Sequence, residues 1–155
     1  MAEDVHITPE GLAAVRREHE ELTTQKRPAI VAKIKAAREL GDLSENFEYH
    51  AARQRHEYLS ARIATLADEL SRTRTLDPSR IDAKEVRVGT RVRLRDAGGA
   101  ERDVTILGPW DSKPEDAIYS YQSEFAQRLL GARVGDRVHL SEGPVEIAAI
   151  APWRS

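Results

Sequence analysis

The chain has 155 residues, 32% of them charged and 5% aromatic, with a formal net charge of −2 and no cysteine. Such a composition argues against one large globular core and for a long exposed helical part beside a small packed domain. It excludes disulfides and thiolate metal sites, and without a global basic excess tight non-specific binding to nucleic acid is not expected. No apolar run approaches the roughly 20 residues of a membrane span. The start, Met1-Ala2-Glu3-Asp4-Val5-His6, lacks the basic and apolar regions of a signal peptide, so a cytoplasmic location is expected.

Thr8-Pro9-Glu10 reads as a helix start: a hydroxyl cap, a proline in the first turn, and an acid near the positive end of the helix dipole. Leu12, Val15, His19 and Leu22 follow at steps of three and four, and Ile30, Ile34, Ala37 and Leu40 resume that rhythm. Pro28 removes a backbone donor and crowds the preceding turn, which predicts a local bend. A second run is more regular. Tyr49, Ala52, His56, Leu59, Ile63, Leu66, Leu70 and Thr73 form a heptad seam. Only Gly41-Asp42-Leu43-Ser44 separates the two runs, and so short a link makes the helices antiparallel.

Past Leu76 the grammar changes. Asp77-Pro78-Ser79 stops the helix and reads as a linker, dividing the chain into a hairpin over residues 1–77 and a second domain over 78–155. Val86-Arg87-Val88 and Arg91-Val92-Arg93-Leu94 alternate like strand, Ala97-Gly98-Gly99-Ala100 is a hairpin turn, and Asp103 to Leu107 returns. Further strands are predicted at 117–121, 137–140 and 145–150, with a short helix from Glu124 to Leu130. The fold class is therefore α+β, a two-helix coiled-coil hairpin followed by a small domain on an antiparallel sheet. Trp110, Tyr119, Tyr121, Phe125 and Trp153 are expected mostly in its core.

The predicted turn of the hairpin reads Gly41-Asp42-Leu43-Ser44-Glu45-Asn46-Phe47-Glu48-Tyr49. Hairpin chemistry alone accounts for it. Gly41 suits the left-handed end of the first helix, and Asp42 with Glu45 forms a capping box for the second. The same string closely resembles the tip of the bacterial GreA/GreB transcript-cleavage factors, Gly-Asp-Leu-Ser-Glu-Asn-x-Glu-Tyr, with Phe47 in the variable place. The resemblance runs along most of the chain, through Thr8-Pro9-Glu10-Gly11, Lys26-Arg27-Pro28, Ala36-Ala37-Arg38-Glu39, His50-Ala51-Ala52-Arg53, Ile63-Ala64-Thr65-Leu66, Leu129-Leu130-Gly131 and Val134-Gly135-Asp136.

That resemblance implies a mechanism and a set of roles. A Gre-like factor inserts its hairpin through the secondary channel of bacterial RNA polymerase and stimulates the enzyme's own cleavage of backtracked RNA, so arrested complexes are released. By similarity, Asp42 and Glu45 share a second Mg²⁺ with the polymerase active site, two carboxylates sufficing for a cation that keeps several waters. Ser44 is a weaker assistant, and helix capping accounts for it equally well. The chain is then no enzyme itself but a cofactor, carrying no metal in isolation. Arg38 and Arg53 flank the tip and would guide the extruded RNA 3′ end by its phosphates, although a solvated surface with charge pairs explains them as readily.

The resemblance further implies an FKBP-like second domain that docks on a coiled coil at the channel rim. Ser123, Glu124 and Phe125 fall where the family carries Ser-Pro-hydrophobic at that docking surface, with Glu124 in place of the proline. Tyr49 is read as seam packing, His56 as a seam residue and His50 as a surface one. No DNA or membrane contact is predicted, and a monomer is expected. The alternative reading is a Gre-fold regulator that occupies the channel and inhibits or retunes polymerase without stimulating cleavage; the acid pair argues against it, because a blocker does not need one.

Overall fold

The structure, a computed structural model, describes residues 4–41 and 46–154. The chain forms two compact units, one spanning Ala13–Arg72 and the other Met1–Leu12 with Thr73–Ser155. The linker-based division at residue 77 thus differs from the division by packing: the first dozen residues belong with the second half of the chain.

In the helical unit, α1 (Pro9–Glu21) runs into a π-helical turn at Leu22–Lys26 and on into α2 (Arg27–Arg38), and α3 (Phe47–Ser71) follows. The π turn is the response to Pro28. Arg27 donates its N–H to the Leu22 carbonyl, five residues back, so the backbone widens just ahead of the proline that cannot donate. The predicted bend is therefore a one-turn change of helix type. Val15, Leu22 and Ala37 on the first run and Tyr49, Ala52, Leu59, Ile63 and Leu66 on α3 are buried, which is the predicted seam. Arg62 donates to Glu18 at 3.0 Å, bridging α1 and α3. The seam stops short of prediction at both ends. Leu40 lies past the end of α2 and is 71% exposed, while Thr73 lies past α3, in a strand.

That strand, β2 (Thr73–Thr75), pairs in parallel with β1 (Val5–Ile7), with Val5 opposite Thr73. Neither was legible in the sequence. Each is three residues long, and the pairing is non-local. The segment is fastened at several points. Asp111 accepts from the Thr8 amide at 2.9 Å and from the Thr8 hydroxyl at 2.5 Å, while Thr8 Oγ1 accepts from Gly11 N at 3.0 Å, the predicted helix cap. At Gly108 the chain passes so close to the His6 carbonyl oxygen that a Cβ would collide with it.

The main sheet has five strands in the order β5-β4-β3-β7-β6: β3 (Thr90–Asp96), β4 (Glu101–Leu107), β5 (Ile118–Ser120), β6 (Arg137–Leu140) and β7 (Gly143–Pro152). The hairpin turn over 97–100 joins β3 and β4 as predicted. Two features differ from the sequence reading. The β4–β5 pair is parallel, so the sheet is mainly rather than wholly antiparallel. Residues 86–88 are not strand; Val86 instead bonds Ala132 and Gly131 through its backbone and plugs the core with its side chain. Helix α4 (Glu124–Leu129) contributes Ala126 and Leu129 to a core of Val92, Leu94, Val104, Ile106, Leu140, Val145 and Ile147. The core is thus aliphatic. Alternate strand residues fill it with branched side chains, and Tyr119, Tyr121 and Phe125 pack half-buried against it. On β3 and β4, a hydrogen bond from Arg93 to Asp103 (2.9 Å) holds that carboxyl below its ordinary range.

Gly108→Ala is expected to destabilise the protein by about 1–3 kcal/mol, because the new methyl must displace backbone rather than a flexible side chain. A lowered denaturant midpoint at unchanged slope is the measure; an unchanged midpoint would show that the two chain segments are not held as described.

Candidate functional site at the hairpin tip

Asp42, Ser44 and Glu45 lie outside the described residues, so the site is built from what brackets them. From the α2 side the chain arrives through Glu39 and Leu40 to Gly41, whose φ of +123° suits glycine alone. From the α3 side it is closed by Asn46. Asn46 Oδ1 accepts from the Tyr49 amide at 3.0 Å, and Nδ2 donates to the Ala37 carbonyl at 2.7 Å. One side chain thus caps α3 and bonds a carbonyl near the end of α2. The capping role predicted for Asp42 belongs to Asn46, whose extended backbone (φ −89°, ψ 96°) immediately precedes Phe47. Asparagine ranks with aspartate as a cap, so the sequence carries the signal for this cap at Asn46 itself.

Arg38, the last residue of α2, and Arg53 on α3 converge on Tyr49. The Tyr49 ring is buried in the seam at 8% exposure, with the His50 ring edge-on at 5.4 Å. The Arg38 guanidinium lies 5.9 Å from the Tyr49 ring centroid. Hydrogen bonding from Arg38, and then from Arg53, holds the Tyr49 phenol below its ordinary pKa against the raising effect of desolvation. Arg53 also faces Glu57 at 3.9 Å, with both side chains largely exposed.

Beside these, a groove of about 660 Å³ runs between α2 and α3, lined by Ile30, Ala36, Ala37, Leu40, Ala51 and Ala52 with Lys33, Glu48 and Arg55. Phe47 is 88% exposed. His50 is exposed and His56 half-buried, in the places the sequence reading gave them.

The predicted docking residues sit at the start of α4. Ser123 Oγ accepts from Ala126 N at 3.1 Å, capping the helix, and donates to the Ser120 carbonyl at 2.8 Å. Glu124 takes the first helical position, where proline is favoured for its fixed φ and an acid for the helix dipole; it pairs with Arg128 at 3.1 Å. The substitution of acid for proline is thus compatible with the same local structure. Phe125 packs on Tyr119 at 4.4 Å between centroids, with Arg102 at 5.9 Å from its ring.

A family model described as "Transcription elongation factor, N-terminal" matches residues 5–74, and one described as "Transcription elongation factor, GreA/GreB, C-term" matches residues 81–151. The transcription elongation factor GreA of Nitratiruptor sp. is 35% identical over 153 residues, covering 97% of this chain and 93% of its own length. That of Nautilia profundicola is 39% identical over 136 residues, covering 87% and 84%. Among solved structures, GreA factor homolog 1 of Thermus thermophilus matches at 24% identity and a TM-score of 0.46, covering 96% of this chain and 99% of its own. The chain belongs to the GreA/GreB family of transcription elongation factors.

The phenol of Tyr49 is expected to ionise at lower pH than it does in Arg38→Ala, read as tyrosinate absorbance after subtracting the Tyr49→Phe titration. Because the folded value is lowered, the stability gained by ionisation is complete only above the ordinary value near ~10 and disappears as pH falls through the folded value. Coincident titrations in the two proteins would contradict the contact.

Proposed function

We propose that this chain stimulates the intrinsic transcript-cleavage activity of RNA polymerase. The hairpin enters the secondary channel of a backtracked complex, carrying Asp42 and Glu45 to the extruded RNA 3′ end. What carries the reading is the position of that acid pair in the chain, in the link that joins α2 to α3 between Gly41 and the Asn46 cap. In the helical unit α2 packs against α3, and the acid pair stands between them in the sequence. The intact tip string and the family membership support the same reading.

The chemistry follows from what each residue can do. Two carboxylates are hard oxygen donors that suit Mg²⁺, and too few to hold it tightly alone, which fits sharing with the polymerase centre. A second Mg²⁺ bound there supplies charge stabilisation and a polarised water for phosphodiester hydrolysis. Asp42 and Glu45 orient that water and accept its hydrogen bonds, with Ser44 as a further partner. Arg38 and Arg53 present planar donor forks to the RNA backbone. The unit built on the five-stranded sheet docks at the channel rim through the segment of Ser123, Glu124 and Phe125, on a coiled coil of the polymerase. The chain works as a cofactor in the cytoplasm and acts as a monomer.

Cleavage in stalled, backtracked complexes is expected to accelerate on addition of the protein and to fall by about 10²-fold or more with Asp42→Ala or Glu45→Ala, at unchanged polymerase affinity. Slower elongation without cleavage would favour the inhibitory alternative. Efficient cutting of naked RNA by the purified protein would contradict the cofactor role.

A further inference from the structure

We propose that Asn46 is a positioning residue for the cleavage reaction: its Nδ2–H bond to the Ala37 carbonyl ties together the two ends of the link that carries Asp42 and Glu45, and so readies that acid pair to share a cation. The inference rests on the proposed cleavage role. It goes beyond that role in giving a task to a residue that is neither an acid nor a base.

Capping alone does not call for asparagine. Serine and aspartate cap a helix start about as well. Serine, however, has one oxygen on a shorter stem, and an ionised aspartate has no donor; the planar amide of asparagine puts an acceptor and a donor on separate atoms. Both are used. Asn46 Oδ1 accepts from Tyr49 N at 3.0 Å, at the start of its own helix, whereas Nδ2 donates at 2.7 Å to Ala37, nine positions back on α2. The Ala37 carbonyl also accepts from Leu40 N at 3.1 Å, three residues on, which leaves one lone pair for Asn46. Without the Asn46 donor that lone pair would turn to water at small cost in stability, because the bond is only part-buried. What would go with it is the tie between the helices at this point.

Asp42 and Glu45 stand within the span that the bond closes. Holding the ends of a short span reduces the arrangements open to the chain between them. Two carboxylates on an untied link must give up more freedom to meet at one ion. A Mg²⁺ that keeps several waters and is shared with another centre offers little binding energy to order them. Prior ordering therefore acts on the rate of the assembled complex rather than on the affinity of the factor for polymerase.

The test separates the tie from the cap. In backtracked polymerase complexes, Asn46→Ser is expected to lower the maximal stimulated cleavage rate about three- to tenfold, the size of one hydrogen-bond loss. The half-saturating factor concentration is expected to stay unchanged, and the Tyr49 amide to stay protected from hydrogen exchange by the serine cap. The half-saturating Mg²⁺ concentration of the stimulated reaction is expected to rise by a similar factor, with excess Mg²⁺ restoring most of the rate; loss of a helix cap alone moves neither. A rate equal to wild type, a deficit that Mg²⁺ does not relieve, or a deficit in factor affinity alone would overturn the positioning role.

A second measurement needs no variant. Asn46 is the only asparagine in the chain, so its side-chain amide protons are expected as one identifiable pair, exchanging with water more slowly than those of the exposed Gln122. Equal exchange would overturn the tie directly. Wild-type protein that fails to stimulate cleavage would sink the cleavage reading and the positioning role with it, whereas wild-type stimulation that Asn46→Ser matches would sink the positioning role alone.

Discussion

Asn46 joins the end of one helix to the start of the next through a single amide. Where two helices meet at a turn, one presents carbonyls and the other N–H groups that its own ladder leaves open. The Asn46 side chain, with an acceptor and donors on one planar group, serves both: Tyr49 N on α3 and the Ala37 carbonyl near the end of α2. Replacing such a cap typically costs about 1 kcal/mol. Here it also fixes where α3 starts, and so fixes that Tyr49 enters the seam while Phe47 faces solvent. The approach of the Arg38 guanidinium to the Tyr49 ring follows from that register.

The sheet unit obeys a different constraint. Strands β1 and β2 lie on either side of the helical excursion in sequence, and they pair with each other, so the points where the chain leaves and rejoins the unit are tied together. Asp111 reaches across to cap the start of α1 at Thr8, and Gly108 permits the close backbone approach beneath it. The aliphatic core needs no part of this arrangement. Its alternating strand residues and the two buried residues of α4 pack among themselves, which leaves the α4 start at Ser123 and Glu124 on the surface.

Periodicity made the helical unit legible. A seam repeating every three and four residues has one structural meaning when it runs for many turns, and Ala52, Leu59, Ile63 and Leu66 are buried accordingly. The sequence misled where a local rule had a non-local competitor. Thr73 fits the heptad but is taken by a strand whose partner lies at the other end of the chain. Val86 and Val88 alternate like strand, yet the backbone of Val86 is claimed by Ala132 and Gly131. Leu40 continues the helical rhythm after the helix has ended. At the tip, three residue types that cap helices stand within a few positions of one another, and composition alone does not say which one does so. Arg53 stands four residues after Tyr49 on α3, a spacing the sequence does record, whereas the approach of Arg38 to the Tyr49 ring depends on the packing of α2 against α3, which no spacing along one helix records.

The proposed cofactor role requires that the link between α2 and α3 meet the RNA 3′ end inside a backtracked polymerase. A photoactivatable amino acid in place of Leu43, in complexes carrying RNA labelled at its 3′ end, tests this most directly. Crosslinks to the terminal nucleotides of the extruded RNA, lost when the complex is returned to its unbacktracked register, are the expected result. Crosslinks confined to the outer surface of the polymerase, with none to RNA, would contradict it.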